Sequence, residues 1–300
     1  MHINLAHICR LFGISRQANY QYLKNQQSQL FTNALIVEQV RFIRAEHPRI
    51  GTRKLYVLLQ PFFEKHQLKI GRDALFYLLY ENGLLIRRRK RSVQTTMSKH
   101  WMKKWPNLIK NLLITQPNQL WVSDITYWKI GQQFKYISFI TDAFSRKIVG
   151  YYLSSSLSAY GCIQALQMAL SGLIEEPTMH LELVHHSDRG AQYCSDNYVR
   201  LLQKHDIKIS MTETGDPLEN AIAERVNGII KQEYLNQYKP KSNKDAHVIL
   251  AKSVQKYNQE RPHSSISYYT PNAAHSNVSI TAKRTWKNYY TQKNVNPSQD

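Results

Sequence analysis

The chain has little cysteine, little acid and no long apolar run. Its three cysteines, Cys9, Cys162 and Cys194, are odd in number and far apart. This argues against a disulfide framework and a cysteine-based zinc site, and suits a reducing cytoplasm. No apolar stretch approaches the roughly 18 residues that a membrane-spanning helix needs. The opening Met1-His2-Ile3-Asn4-Leu5 lacks the basic-then-apolar layout of a secretory signal. No internal repeat or low-complexity stretch stands out. What is present suffices for folded cores: 42% of the 300 residues are hydrophobic and 11% aromatic. A chain of this length suits about two domains.

Acid is scarce mainly in the front. The whole chain has 40 Lys+Arg against 21 Asp+Glu, a net charge of +19. Residues 1–117 hold 20 basic and 5 acidic side chains, a net of +15, and residues 118–300 hold 20 and 16, a net of +4. The front therefore reads as a region that binds a polyanion. The back keeps most of the acids, where a chemical site could be built.

The front is helical by pattern. In residues 5–24, Leu5, Ile8 and Leu11 sit at helical spacing, Gly13 breaks the helix, and Ser15 fits the N-cap of the next. The layout is that of a helix-turn-helix whose second helix presents Arg16, Gln17, Asn19 and Tyr20. An ordinary helical hairpin has the same pattern. Residues 31–47, 52–64 and 72–82 carry further helical patterns, with Pro61 expected to end or kink the middle one. Arg53, Lys54 and Arg72 lie in these segments, and Arg87, Arg88, Arg89, Lys90 and Arg91 follow. They are the candidates for gripping phosphates; a solvated tail is the alternative for the run. Lys99 to Lys110, with Trp101 and Trp105 interleaved, reads as a linker able to lie on DNA.

From about residue 118 strands and helices mix. Segments 121–130, 134–144 and 147–153 read as an antiparallel meander. A helix over 158–172, a strand over 181–188, a helix over 195–205 and a strand over 207–212 follow. Asn220 can cap a helix running to about 237, and a helix over 245–257 completes the pattern. This is a sheet with helices on its faces, an α/β class. The informative acids are Asp124 within the first strand, Asp188 at the end of a later one, and Glu224 on the helix opened by Asn220. Glu224, Asn227 and Lys231 lie largely on one stripe of that helix; Glu224 and Lys231 are seven apart, about two turns, so both project from one side. Spacing alone does not single out these three from surface carboxylates.

A resemblance does. WVSDIT around Asp124, TDAFSRKIVGY (141–151), HHSDRGAQY around Asp188, GDPLENAIAERVNGIIKQEY around Glu224 and YNQERPHSSI (257–266) carry it, with Thr270-Pro271 after them. Together they resemble the DDE transposases and retroviral-type integrases, most closely the catalytic OrfB subunit of the bacterial IS-three insertion-sequence family. Thirty-five residues separate Asp188 from Glu224, as in that family's D,D(35)E pattern, and Lys231 matches its Lys/Arg position. RIGTRKLYVLL (49–59) resembles its upstream helix-turn-helix-like segment. Pro217 and Glu219 depart from its usual loop. No leucine-zipper heptads precede the helical signals, so the resemblance implies that the separate OrfA partner lies outside this chain, as a partner or as an upstream fusion.

The resemblance implies an RNase H-like catalytic core over 118–276. It would follow a helix-turn-helix at 1–28, a second helical DNA-binding domain at 29–93 and a basic linker at 94–117, with a tail at 277–300. It implies a bacterial, cytoplasmic, nucleoid-associated transposase that cuts and joins DNA by direct phosphoryl transfer, as a multimer on DNA. Asp124, Asp188 and Glu224 would be catalytic and would hold two Mg²⁺ ions, with Mn²⁺ as the substitute. Asp124 would bridge both ions and Lys231 would contact DNA near the cleaved end. Tandem His185-His186 reads as packing rather than zinc, Asp142 as structural, and His263 as a residue that approaches DNA. The alternatives are an RNase H-like nuclease that only hydrolyses and a non-catalytic DNA-binding repressor.

Overall fold

The computed structural model describes residues 4–86, 101–110, 112–175, 182–213 and 220–276. The basic run Arg87–Arg91, Lys99, the loop with Pro217 and Glu219, and the tail 277–300 lie outside the described residues. The chain divides into two compact units, residues 1–88 and 89–300.

The first unit is helical: α1 (Leu5–Leu11), α2 (Arg16–Glu46), α3 (Thr52–Lys65) and α4 (Arg72–Glu81). Asn4 accepts from the Ala6 N–H at 3.0 Å, Gly13 makes the turn at φ 65°, and Ser15 accepts from the Ala18 N–H at 3.0 Å. The expected helix, turn and helix is present. However, α2 does not stop near residue 24. It runs unbroken for 31 residues, about 46 Å at 1.5 Å per residue. The polar stretch Lys24–Gln29 interrupts the apolar periodicity, but no Gly or Pro stands between Ile14 and Pro48, so nothing breaks the backbone. The boundary expected at 28/29 falls inside this helix. Ile36, Val37 and Val40 of α2 pack with Leu55, Leu59 and Phe63 of α3 and with Leu75, Leu78 and Leu79 of α4. The first half of α2 buries no side chain. Helix α3 continues through Pro61 to Lys65 instead of ending there. Pro61 lies on the exposed side, so the buried stripe Leu55, Leu59, Phe63 holds the helix across the missing N–H.

The second unit is a five-stranded sheet in the order β3-β2-β1-β4-β5. The meander is β1 (Leu120–Ile130), β2 (Gln133–Asp142) and β3 (Ile148–Ser154), all antiparallel. Gly131, φ 58°, makes the tight β1–β2 turn. Strands β4 (Val184–Ser187) and β5 (Lys208–Met211) add in parallel beyond β1. This is the α/β, RNase H-like arrangement that the motifs imply.

Helices α5 (Ala159–Glu175) and α6 (Asp196–Lys204) join one core with Trp121 and Ile140. Helices α7 (Ala221–Ile229) and α8 (Asn243–Gln259) join the other with Ile137 and Phe139, and the chain closes with α9 (Pro271–Ser276). Ile137 and Phe139 against Ile140 is the two-residue alternation of a strand covered on both faces. Gly150 lets α5 approach β3: a Cβ there would overlap the Ala165 carbonyl oxygen.

The expected helix to 237 changes form. After α7 the backbone widens into a π-helical turn over Ile230–Tyr234 and tightens into a 3₁₀ turn over Leu235–Gln237. The segment 257–263 fastens this region. Arg261, fully buried, makes a bidentate pair with Glu233 at 2.7 and 2.8 Å. The Asn258 amide bonds both the N–H and the carbonyl of Ile148 at 2.9 Å, and the Tyr257 hydroxyl donates to the Arg146 carbonyl at 3.0 Å. His263 is buried, with its Nδ1 2.9 Å from Ser265 Oγ and its ring edge-on to Tyr257. It belongs to this fastening, not to a DNA-facing surface. Asp142 is structural as expected: it accepts from the Asn118 and Ser145 N–H groups at 2.8 and 2.7 Å.

Candidate active site

Asp124 sits in the central strand. In the parallel β1–β4 register Ser123 pairs with Ser187, so the next position brings Asp124 level with Asp188. Asp188 thus leaves the carboxyl end of β4 beside β1, the edge at which open α/β sheets build sites. Its Oδ1 accepts from the Gly190 N–H at 3.0 Å, which folds the loop back on the carboxylate.

Helix α7 supplies the third acid. Two asparagines tie this helix to β1. Asn220 Nδ2 donates to the Ser123 carbonyl at 2.9 Å, and Asn227 Nδ2 donates to Asp124 Oδ2 at 2.9 Å. Both asparagines are 4% exposed, and the Oδ1 atom of each is buried without a hydrogen-bond partner. Glu224 lies between these two ties, one turn from each. Asn220 occupies the N-cap position but makes no side-chain cap; its amide is spent on β1. The stripe Glu224, Asn227, Lys231 was legible in the sequence. The part Asn227 plays on it was not, and its only signal was that three-and-seven spacing.

The electrostatics follow from this arrangement. Burial, then the Asp188 carboxylate, and more weakly Glu224, push the Asp124 carboxyl up to about 8 against the pull of its Ile125 and Asn227 hydrogen bonds. Among the described residues no group of three or more His, Cys, Asp and Glu side chains is arranged to hold a metal ion. The donor chemistry nevertheless fits a hard cation: oxygen ligands, one of them a half-buried carboxyl whose pKa is raised beside two other acids.

The histidines before Asp188 serve packing. His185 Nε2 lies 2.7 Å from Ser123 Oγ and 2.8 Å from the Tyr198 hydroxyl. Burial and His186 push it down to about 3, so it stays neutral. His186 Nδ1 lies 2.9 Å from Ser210 Oγ.

Comparison with known proteins then decides the family. Two integrase core domain models match the chain, over residues 114–217 and 205–271. Over 271 residues it is 30% identical to the insertion element IS600 uncharacterized 31 kDa protein of Shigella sonnei, covering 89% of this chain and 96% of that one. It is 31% identical to the transposase for insertion sequence element IS629 of Shigella sonnei, covering 72% of this chain and 70% of that one. The chain belongs to the insertion-sequence transposases with an integrase core. It is a polynucleotidyl transferase that cleaves DNA and transfers strands. Among relatives further off, a putative transposase for IS986/IS6110 of Mycobacterium tuberculosis is 29% identical, covering 70% of this chain and 76% of that one. Among solved structures, the HTLV-2 integrase catalytic core domain in complex with magnesium is 21% identical, with a TM-score of 0.42, covering 53% of this chain and 97% of that one.

The remaining candidates of this transposase are dispersed. Lys231 lies in the π-helical turn, with its Nζ 3.5 Å from the centre of the Tyr127 ring, and burial lowers its pKa. Arg16, Gln17, Arg53 and Arg72 are exposed on the first unit, and Lys54 is partly exposed. Arg72 also contacts Asp73 at 3.0 Å. Among the described residues no helix is long and apolar enough to cross a membrane.

Proposed function

We propose that Asp124, Asp188 and Glu224 are the catalytic carboxylates of this transposase. The observation that carries the proposal is geometric: the β1–β4 register sets Asp124 level with Asp188, and Asn220 and Asn227 tie the helix that bears Glu224 to the same strand. The proposed cofactor is a pair of Mg²⁺ ions, replaceable by Mn²⁺, which the oxygen ligands of Asp124, Asp188 and Glu224 would hold. When bound, such ions supply Lewis-acid activation and neutralise the phosphodiester. The chain's own residues do the rest. Asp124 must lose its proton for the site to form, and the Asn227 amide holds the resulting carboxylate in place. Asn220 and Asn227 fix the helix that carries Glu224. Lys231, poised over Tyr127, offers a cation to the DNA backbone beside the cleaved end.

The nucleophile is water in cleavage and a DNA 3′-hydroxyl in joining. No side-chain nucleophile is invoked. Arg16, Gln17, Arg53, Lys54 and Arg72, with Arg87, Arg88, Arg89, Lys90 and Arg91, are proposed to hold the element ends, chiefly through phosphates. The protein is proposed to act in the bacterial cytoplasm on the nucleoid, as a multimer on DNA, with an OrfA segment as partner or fusion.

The test is a plasmid assay with element ends and Mg²⁺. The wild type should nick and join. Asp188→Asn and Glu224→Gln should each lower joining by about three orders of magnitude or more, as loss of a transition-state contact group does. Joining within tenfold of wild type by either variant contradicts the assignment.

A further inference from the structure

The part of the expected linker that is described is not free chain. Met102 and Trp105 pack against the core that holds Trp121, Tyr193 and Cys194, and Ile109 is buried. The Met211 N–H of the edge strand β5 donates to the Pro106 carbonyl at 3.2 Å, and the Leu108 N–H donates to Ser210 Oγ at 2.9 Å. Lys110 pairs with Glu213. Residues 102–110 are therefore a strap along the β5 edge.

The strap is joined to the Asp188 loop by contacts that can be followed atom by atom. From Met211, bonded to Pro106, the Cys194 thiol is 3.7 Å from the Met211 sulfur. The Cys194 N–H donates to the Gly190 carbonyl at 3.2 Å, and the Gly190 N–H donates to Asp188 at 3.0 Å. Beside these contacts the strap presents base and charge binders rather than more core. Trp101 is 92% exposed, an indole that its own fold does not use. Lys103 sits 4.4 Å from the centre of the Trp105 ring, and Lys104 is exposed between them. Lys104, Arg189 and Asp188 all act electrostatically on Cys194, the residue through which the strap is joined to the Asp188 loop.

We infer that residues 101–110 form a single-strand binding strap, in which Trp101 stacks on an unpaired base and Lys104 holds a phosphate of the strand that enters at Asp188. The ligand class is DNA whose last nucleotides are unpaired, because only an unpaired base presents a free face for the exposed Trp101 ring to stack on. Stacking on an exposed aromatic ring is indifferent to sequence, and a neighbouring lysine adds a salt-dependent grip. The inference rests on the proposed role of Asp188.

The experiment measures binding of the full chain, in metal-free buffer, to two probes: a blunt duplex and the same duplex with a five-nucleotide single-stranded overhang. Trp101→Ala should weaken overhang binding about five- to 150-fold, the range that base stacking supplies, and leave blunt-end binding within twofold. Trp101→Phe should restore most of the loss. Lys104→Ala should lower the slope of log affinity against log salt by about 0.7 on the overhang probe. Because Trp101 is exposed, its replacement leaves the core intact, and an unchanged melting temperature checks this. Unchanged overhang binding by Trp101→Ala, or equal losses on both probes, overturns the inference. Wild-type joining, run in parallel, separates the outcomes. If the wild type joins and Trp101→Ala binds normally, the strap alone is refuted. If Asp188→Asn also joins, the underlying site assignment fails.

Discussion

The two units handle their polar residues in opposite ways. The first half of α2 buries no side chain, and Arg16, Gln17 and Arg53 stand exposed on a small helical core. In the sheet unit polar groups are drawn inside: Asp142, His185, His186 and Arg261 are each 1% exposed or less, and Asn220 and Asn227 are 4% exposed. Exposed cations can bind a polyanion through many weak and replaceable contacts. Buried, bonded polar groups hold positions, and phosphoryl transfer depends on position. Substitutions in the first unit should therefore give small, additive, salt-dependent effects. Substitutions in the second should give large, discrete ones.

The largest effect on stability is expected at Glu233→Ala. It strands the fully buried Arg261, at a cost of about 3–5 kcal/mol. Thermal or urea unfolding should show it, and a loss below 1 kcal/mol would mean that the pair is dispensable. Next is Asn227→Ala, which frees Asp124 without removing a carboxylate. Joining should fall by about 10–100-fold, as for other groups that orient a metal ligand. The melting temperature should move little by comparison.

The pH dependence follows from Asp124. Its pKa is raised on folding, so its contribution to stability is complete below the ordinary carboxylate value near 4. That contribution is lost as pH rises toward about 8. Metal-free protein should melt progressively lower from pH 5 to pH 8.5. Added Mg²⁺ should raise the melting temperature more at pH 8.5 than at pH 6, because the ligand must be deprotonated. Asp124→Asn should flatten both trends. The smallest effects belong to the first unit. Arg53→Ala or Lys54→Ala should each lower the salt slope of duplex binding by about 0.9, with joining unchanged at saturating DNA. A tenfold joining defect from either would blur the contrast between the units.

Much of the second unit is legible because its strands are bounded by turn residues and two of its three acids fall in or just after strands. Asp124 lies in an apolar strand, and Asp188 closes another. Their proximity was not legible in the pattern, since it depends on the register that sets Ser123 against Ser187. The spacing of Glu224, Asn227 and Lys231 marked a helix face but gave no account of what that face met. The long helix α2 is not legible in the pattern because apolar periodicity reports burial, and its first half is a helix without burial. Pro61 differs from expectation for the converse reason: buried neighbours on α3 outweigh one missing hydrogen bond. The π-helical turn at Ile230–Tyr234 has no local signature, and its partner, Arg261, lies 28 residues beyond Glu233.

The central claim is that the carboxylates perform the chemistry and the cations of the first unit hold the DNA. The most direct measurement takes Asp124→Asn through two assays on the same element-end duplex, equilibrium binding and Mg²⁺-dependent strand joining. Binding should stay within about twofold of wild type while joining falls by three orders of magnitude or more. Joining that persists within tenfold, or binding that collapses in step with it, would contradict the account.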